Sequence, residues 1–438
     1  MSPPRSSPWN RSVVGLLVSV FCASAAGMAG ITAVGKLVYD ITSSELDLGL
    51  LGLAEFAPAA LLVLVTGAVA DRFDRRVITA LGVLVEAVAA VGLALYARTD
   101  PTSVAPIFGL MVVFGVGRAF AAPASRALPS DIVAPEDLPW LVPRNSAMWQ
   151  AALIVGPVLG GSLYAVGVVW PFVAMAVLST IAALAIFIVQ PRQRASVAPM
   201  PAVVQAAIEA TGEPALGHGE PAVPARASWH DALEGLRFIR HHPILLGAIS
   251  LDLFAVLFGG AVALLPAIAE ERLGIDAVGL GWLRAAGGIG AATVTIMLAR
   301  RPLRRHIGRT LLVVVALFGV FTIVLGVTRS FVVAFIAMAA LSGADAVSVF
   351  IRATIAPLVT PPSKRGRVLA VENVFIGASN ELGAFESGVV GQVLGPSAAI
   401  VLGGAATIAV AGAWWTLFPA LREVDGFPTS ADLALLEG

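Results

Sequence analysis

The sequence predicts an all-α integral membrane protein, with twelve transmembrane helices arranged as two pseudo-symmetric bundles of six. Three observations predict this. Hydrophobic residues make up 58% of the 438 and charged residues only 13%, where a soluble domain carries about half and about a quarter. Apolar runs of about 20 residues, the length that crosses a ~30 Å hydrocarbon core, recur along the whole chain. Stretches of the first half also return in the second at a nearly constant offset. RALPSDIVAP (126–135) aligns with RATIAPLVTP (352–361) at 226, and GLLGL (49–53) with GLGWL (279–283) at 230. Asn145 and Asn373 correspond at 228, and the 230 offset sets Arg75 opposite Arg305.

In lipid the backbone must satisfy its own hydrogen bonds, so the apolar runs are helices. They place spans 1 to 12 at roughly 13–36, 47–70, 77–97, 104–124, 140–165, 169–190, 243–268, 276–299, 309–328, 330–355, 368–393 and 397–420. The first bundle covers 1–190 and the second 243–421, with a cytoplasmic tail at 422–438. Span 1 is too long for a cleaved signal peptide and has no convincing cleavage site before residue 39, so it is expected to stay as a helix. It holds Cys22, the single cysteine, which excludes an intrachain disulfide and a cysteine-based metal site. GMAGITAVG in span 1 and GPVLGG (156–161) in span 5 are small-residue tracts suited to close helix packing. Pro157 also breaks one backbone hydrogen bond and permits a bend. Lys36 sits at the outer end of span 1, where it either snorkels to the surface, the favoured reading, or meets an anionic substrate at the cavity mouth.

Between spans 6 and 7 lies a cytoplasmic segment, 191–242. Its first part, 191–227, is rich in Pro, Ala and Gly without apolar period, as a disordered linker is. SWHDALEGLRFIRHH then reads as an amphipathic surface helix over 228–241. Ser228 and Asp231 have capping-box spacing. Trp229, Leu233, Leu236 and Ile239 or Phe238 share one face, with Arg237, Arg240 and His241 at its rim. His241 and His242 are read as basic residues at a membrane interface rather than as metal ligands.

The 28 Lys and Arg sort unevenly over this topology. Twenty-two fall in the termini and the loops on their side. Four lie on the other side: Lys36, Arg98, Arg272 and Arg329; two, Arg118 and Arg284, lie within helices. This asymmetry places both termini in the cytoplasm. The loop GAVADRFDRR (67–76), with five charges between two apolar runs, is then cytoplasmic as well.

These residues resemble a family. Gly67, Asp71, Arg72, Arg75 and Arg76 are similar to the loop between helices 2 and 3 of the major facilitator superfamily, although Asp74 stands where many members have Gly. Gly156, Pro157, Gly160 and Gly161 resemble the core of that superfamily's antiporter motif, with Ala152 where the longer motif prefers Gly. LVYDITSSELDLGLLGLAEFAP and VFIGASNELGAFESG resemble the branch that includes the enterobactin exporter and macrolide efflux proteins. The resemblance spans essentially all twelve helices. It implies a major facilitator fold in a bacterial-type inner membrane, a monomer working by alternating access, and a conformational latch made by the 67–76 loop. An alternating-charge loop can gain ion pairs with a helix end in one conformation and lose them in the other.

A charge near mid-membrane costs roughly 2.5–3.5 kcal/mol on insertion scales, so it is paired or faces a cavity. Eight stand out: Glu55, Glu86, Arg118, Asp252, Arg284, Asp345, Glu381 and Glu386. The family fold puts helices 3, 6, 9 and 12 on the outside, and of the eight only Glu86 falls on one of these. Asp345, Asp252, Glu381, Glu55 and Glu386 are the candidates for carrying a proton. Arg118, Arg284 and Asn380 are candidates for lining the cavity, and Asp345 and Arg118 are expected to face each other across it. The expected function is proton-coupled export, as an antiporter, of small amphipathic molecules such as siderophores or hydrophobic drugs. The alternatives are a proton-coupled metabolite importer and a transport-inactive membrane scaffold or sensor. The expected partners are a small-molecule substrate, protons and the bilayer, without nucleic acid. No phosphate-binding loop, catalytic triad or metal-ligand set appears, so ATP, an enzymatic activity and a cofactor are not expected.

Overall fold

A computed structural model describes residues 9–190 and 229–427. The 191–228 linker, with Ser228, and the end of the tail lie outside the described residues. Twelve long helices lie in the order expected: Arg11–Thr42, Glu45–Arg72, Arg75–Ala97, Ala105–Ile132, Leu138–Val166 and Trp170–Ile188, then Pro243–Phe258, Ala277–Arg300, Ile307–Val327, Phe331–Leu358, Pro362–Leu394 and Pro396–Leu417. Ten are apolar and long enough to cross a membrane, counting span 7 through Arg272. Outward side chains such as Val88, Leu184, Val320 and Leu402 stay exposed, an arrangement suited to hydrocarbon rather than water.

The ends follow local chemistry. Asn10 caps span 1 by accepting a hydrogen bond from Val13 N, Ser44 caps span 2 at Asp47 N, and Asp74 caps span 3 at Arg76 N. Spans 4, 5, 6, 7, 11 and 12 begin with a proline in their first turn, where the missing N–H costs nothing. Span 7 departs from the expected single helix. It stops at Phe258, passes through a 3-10 turn at Gly260–Leu264 and resumes to Arg272 with a π turn. The break falls at Gly259–Gly260, beside the glycine-rich middle of span 11.

Packing repeats with a shift of six. In the first half span 1 packs on 5 and 6, span 3 on 4 and 6, and span 2 on 4. In the second half span 7 packs on 11 and 12, span 9 on 10 and 12, and span 8 on 10. Spans 3, 6, 9 and 12 pack chiefly within their own half, whereas 2 meets 11 and 5 meets 8 across the seam.

The seam is tight at the end that bears loops 43–44, 273–276 and 395. A Cβ on Gly49 would lie 2.9 Å from Ala384 O, and one on Gly388 would lie 2.7 Å from Glu45 O. Without side chains the backbones of spans 2 and 11 can touch. At the same end Ser44 Oγ donates to Gln392 Oε1 at 2.9 Å, Lys36 Nζ reaches Glu270 at 2.8 Å, and Tyr39 donates to Glu271.

The helix Trp229–His241 forms where expected, but its apolar face is split. Ile239 is buried, while Leu233 and Leu236 are exposed. Gly235 lies against Arg367 O of span 11, and Glu234 pairs with Arg367 at 2.7 Å. The helix is thus docked on the second half, with two leucines left outward. The side chains of Trp229 and Asp231 lie outside the described residues.

Candidate functional site

Two clusters of charge sit within the spans, one in the first half that Glu381 of the second half joins and one within the second half, and one further charge, Arg284, lies on the seam.

The first cluster joins spans 2, 3, 4 and 11. Arg118 Nη1 and Glu55 Oε1 are 2.5 Å apart. Glycines allow spans 2 and 4 to approach, since Gly115 lies against the backbone of Glu55 and against Pro58. Glu86 of span 3 is buried and packs on Gly117, next to Arg118. Glu381 reaches in from the other half, with its carboxylate in the space left by Gly52, and acts electrostatically on Arg118. One cation therefore stands among three carboxylates. The Arg118 side chain is 46% exposed although mid-span. An arginine at that depth is tolerated when it faces a polar cleft.

The second cluster joins spans 7, 10 and 11. Arg352 Nη2 and Asp252 Oδ1 are 2.7 Å apart, and Arg352 Nη1 lies 4.0 Å from Glu372. Both partners of the Asp252 pair are buried. Arg352 Nε donates to Ser348 Oγ at 3.4 Å. Asp345 lies about two turns before Arg352 on the same helix, within its electrostatic reach. Asp252, Asp345, Ser348 and Phe318 line a small cavity.

Several expectations change here. Asp345 does not face Arg118: each is engaged within its own half, Arg118 by Glu55 and Asp345 by the Arg352 cluster. Arg352, counted with the loop charges, is a buried intramembrane cation, and Glu372 is its second acid. Both fall inside the expected spans, 330–355 and 368–393, but within about a turn of the cytoplasmic edge, where charges are read with the adjoining loop. The repeat gave no signal either, since Arg126, the counterpart of Arg352, is exposed. Lys36 does not snorkel free, because it pairs with Asp40 and Glu270. Asp40 also accepts from Tyr164 at 2.6 Å.

Other candidates stay apart from the clusters. Asn380 donates to Ile376 O of its own helix at 2.8 Å. Glu386 is met by Ser387 Oγ at 3.5 Å. The 67–76 stretch, expected as a loop, is helical except for Phe73 and Asp74; Gly67 has open space around it and Arg72 is exposed. Arg75 pairs with Asp131 of span 4 at 3.0 Å. Arg76 pairs with Asp74 at 2.6 Å and donates to Val189 O at 2.8 Å. The side chain of Asp71 lies outside the described residues. The Asp74 carboxyl is held below the usual carboxylate range, first by the Arg76 side-chain hydrogen bond.

The GPVLGG tract packs on two neighbours at once. A Cβ on Gly156 would lie 2.6 Å from Met28 Cβ of span 1 and one on Gly160 2.5 Å from Ala29 O. Gly161 faces Ala277 and Gly281 of span 8. The tract therefore lets span 5 touch both span 1 and the opposite half. The seam continues at Gln150, whose Nε2 donates to Gly288 O of span 8 at 3.0 Å. Among the described residues no group of three His, Cys, Asp or Glu has the placement to hold a metal ion.

A helical chain with charges gathered between two repeated bundles fits a transport protein rather than an enzyme, and the comparisons agree. Residues 16–351 match the family model described as Major Facilitator Superfamily. Among curated protein sequences none matches the chain. Solved structures similar in fold include a bacterial homolog of the human lysosomal transporter Spinster in an inward-facing, unoccupied conformation, with TM-score 0.64 and 14% identity over 94% of this chain and 95% of that one. The nucleoside transporter NupG aligns with TM-score 0.67 and 13% identity over 95% and 100%. The human organic anion transporter MFSD10 aligns with TM-score 0.62 and 16% identity over 92% and 99%. Twelve helices, a six-helix repeat and the family match lead to one conclusion: the chain belongs to the major facilitator superfamily and is a multi-pass membrane transport protein.

Proposed function

We propose that this transporter is a proton-coupled exporter of small amphipathic molecules, such as siderophores or hydrophobic drugs, working by alternating access as a monomer in a bacterial-type inner membrane. The observation that carries the reading is the meeting of Glu55, Arg118 and Glu381. Two of these belong to one half and the third to the other. An acid that shares a cation only while the halves are together holds its proton differently when they part. Substrate and proton can then alternate at one cleft. Export, rather than import, rests on the resemblance of GPVLGG to the antiporter motif and of two tracts to an efflux branch. The excess of Lys and Arg on one side supports cytoplasmic termini. On this reading the 67–76 stretch, with Asp71, Arg72, Arg75 and Arg76, biases the rocking equilibrium from the cytoplasmic side.

The test uses inverted membrane vesicles with an acidic lumen and a pH-sensitive dye. Adding ethidium or 2,3-dihydroxybenzoate to wild-type vesicles is expected to release luminal protons and restore fluorescence. Glu381→Gln and Glu55→Gln are expected to abolish that response. A full response in Glu381→Gln vesicles would remove this residue from the coupling path, and no response to either compound in the wild type would count against a proton antiporter of these classes.

A further inference from the structure

The charge on the seam is Arg284, in span 8. Its place follows from the glycines around it. Gly281 packs on Pro157 O of span 5, and Gly288 packs on Leu153 and Ile154 of the same span. Positions 281, 284 and 288 are spaced by three and four, so they share one helix face. Arg284 thus points into the junction between the halves. A Cβ on Gly35 of span 1 would lie 3.7 Å from Arg284 Nη2, which sets the guanidinium where spans 1, 5 and 8 meet.

This arginine is unpaired. Its Nε is cut off from solvent and has no hydrogen-bond partner. Among the described residues no carboxylate forms an ion pair with it or acts on it electrostatically. The acids of the neighbourhood are engaged elsewhere: Glu270 with Lys36, Asp40 with Lys36 and Tyr164, and Glu381 in the cluster of Arg118. The side chain as a whole is only partly buried; a partly buried cation without a counter-charge weakens the fold that holds it, and a guanidinium offers a planar fork of donors matched to an oxyanion.

We propose that Arg284 is the anchor for a negatively charged group on the transported molecule, so that the substrates are small organic anions bearing a carboxylate or similar planar oxyanion. This rests on the reading of the protein as a small-molecule transporter and narrows its substrate class. The lack of a side chain at Gly35 leaves the guanidinium uncovered on the side of span 1, with Pro266 the other neighbour of that spot. The apolar walls of spans 1, 5 and 8 suit the rest of an amphipathic molecule.

The test is binding by the purified full-length protein in a neutral detergent, so that transport is not needed for the readout. The probes are 2,3-dihydroxybenzoate, 2-naphthoate and decanoate, each against its methyl ester. In the wild type at least one carboxylate is expected to bind about tenfold or more tightly than its ester. Arg284→Met is expected to lose that preference while keeping the ester's affinity, and Arg284→Lys to retain part of it. Without ligand, Arg284→Met is expected to melt at a higher temperature than wild type, because an unpaired, partly buried charge has been removed. No carboxylate preference in the wild type for any of the three, or the same preference in Arg284→Met, would overturn the proposal. So would a lower melting temperature of the unliganded variant, which would mean that the arginine supports the fold. Carboxylate binding that depends on Arg284, without movement of the bound compound in vesicles, would instead count against the transporter reading and leave the site standing.

Discussion

Single residues in this protein are best understood through what remains when they are removed. Arg352 holds Asp252 at 2.7 Å and lies near Glu372 and Asp345. Arg352→Gln leaves buried carboxylates without their cation, and a broken buried pair costs about 3–5 kcal/mol; a clear fall in melting temperature is expected. Glu55 and Arg118 should behave as a unit. Glu55→Gln strands the arginine and Arg118→Gln strands three acids, so the double variant is expected to be milder than the sum of the two by ~0.5–3 kcal/mol in a double-mutant cycle. Asp74 adds a pH effect at the start of span 3. Its carboxyl is held low by Arg76, so its contribution is present above the ordinary carboxylate value of ~3.9 and lost as pH falls through the lowered one. Asp74→Asn keeps the cap and is expected to flatten the acid limb of the melting curve while changing little near neutrality.

Helices carry the next level of the account, and here the sequence was informative in one dimension only. The length of the apolar runs placed twelve spans in the right order, because hydropathy reports depth in the bilayer, but it missed where spans 1, 4 and 11 end as helix, by six to eight residues, and the break in span 7 at Phe258. It does not report rotation about the helix axis, since these helices are apolar on most faces. The pairing of Arg118 with Glu55, rather than with Asp345, was therefore not legible. Nor was the role of Lys36, whose partner Glu270 lies 234 positions away. Arg352 was not legible because it lies within a turn of the expected cytoplasmic edge of span 10, where an arginine ordinarily belongs to the loop. The glycines of spans 2 and 11 make a prediction at this scale. Gly388→Val places bulk where backbones meet at the 43–44 and 395 end, and is expected to hold that end apart. In a Cys22→Ala background, Ser44→Cys with Gln392→Cys should cross-link readily on oxidation, since Ser44 and Gln392 already touch. Adding Gly388→Val should reduce that cross-linking several-fold, and rapid cross-linking despite it would contradict the assignment.

Across the whole molecule, two repeats of six helices meet at seams made of glycine and small residues, with charge concentrated beneath the tight end. The repeat was visible in the sequence as a nearly constant offset, and the packing pattern reproduces it span for span. The proposed cycle moves these halves against each other, parting Glu381 from Glu55 and Arg118 as the cleft changes side. The Ser44→Cys, Gln392→Cys pair serves a second purpose here: once oxidised it should stop transport, and reduction should restore it. Persistent transport with the bridge intact would be incompatible with rocking at this seam.

The proposed function has this chain export a small molecule through a cleft whose acids bind protons. The most direct measurement compares small molecules in cells and medium by mass spectrometry, under iron limitation, for a deletion strain carrying wild-type protein, Glu381→Gln or an empty vector. A compound is expected that stays inside the deleted cells, reappears outside with the wild type and stays inside with Glu381→Gln. No compound that differs between strains, or full restoration by Glu381→Gln, would contradict it.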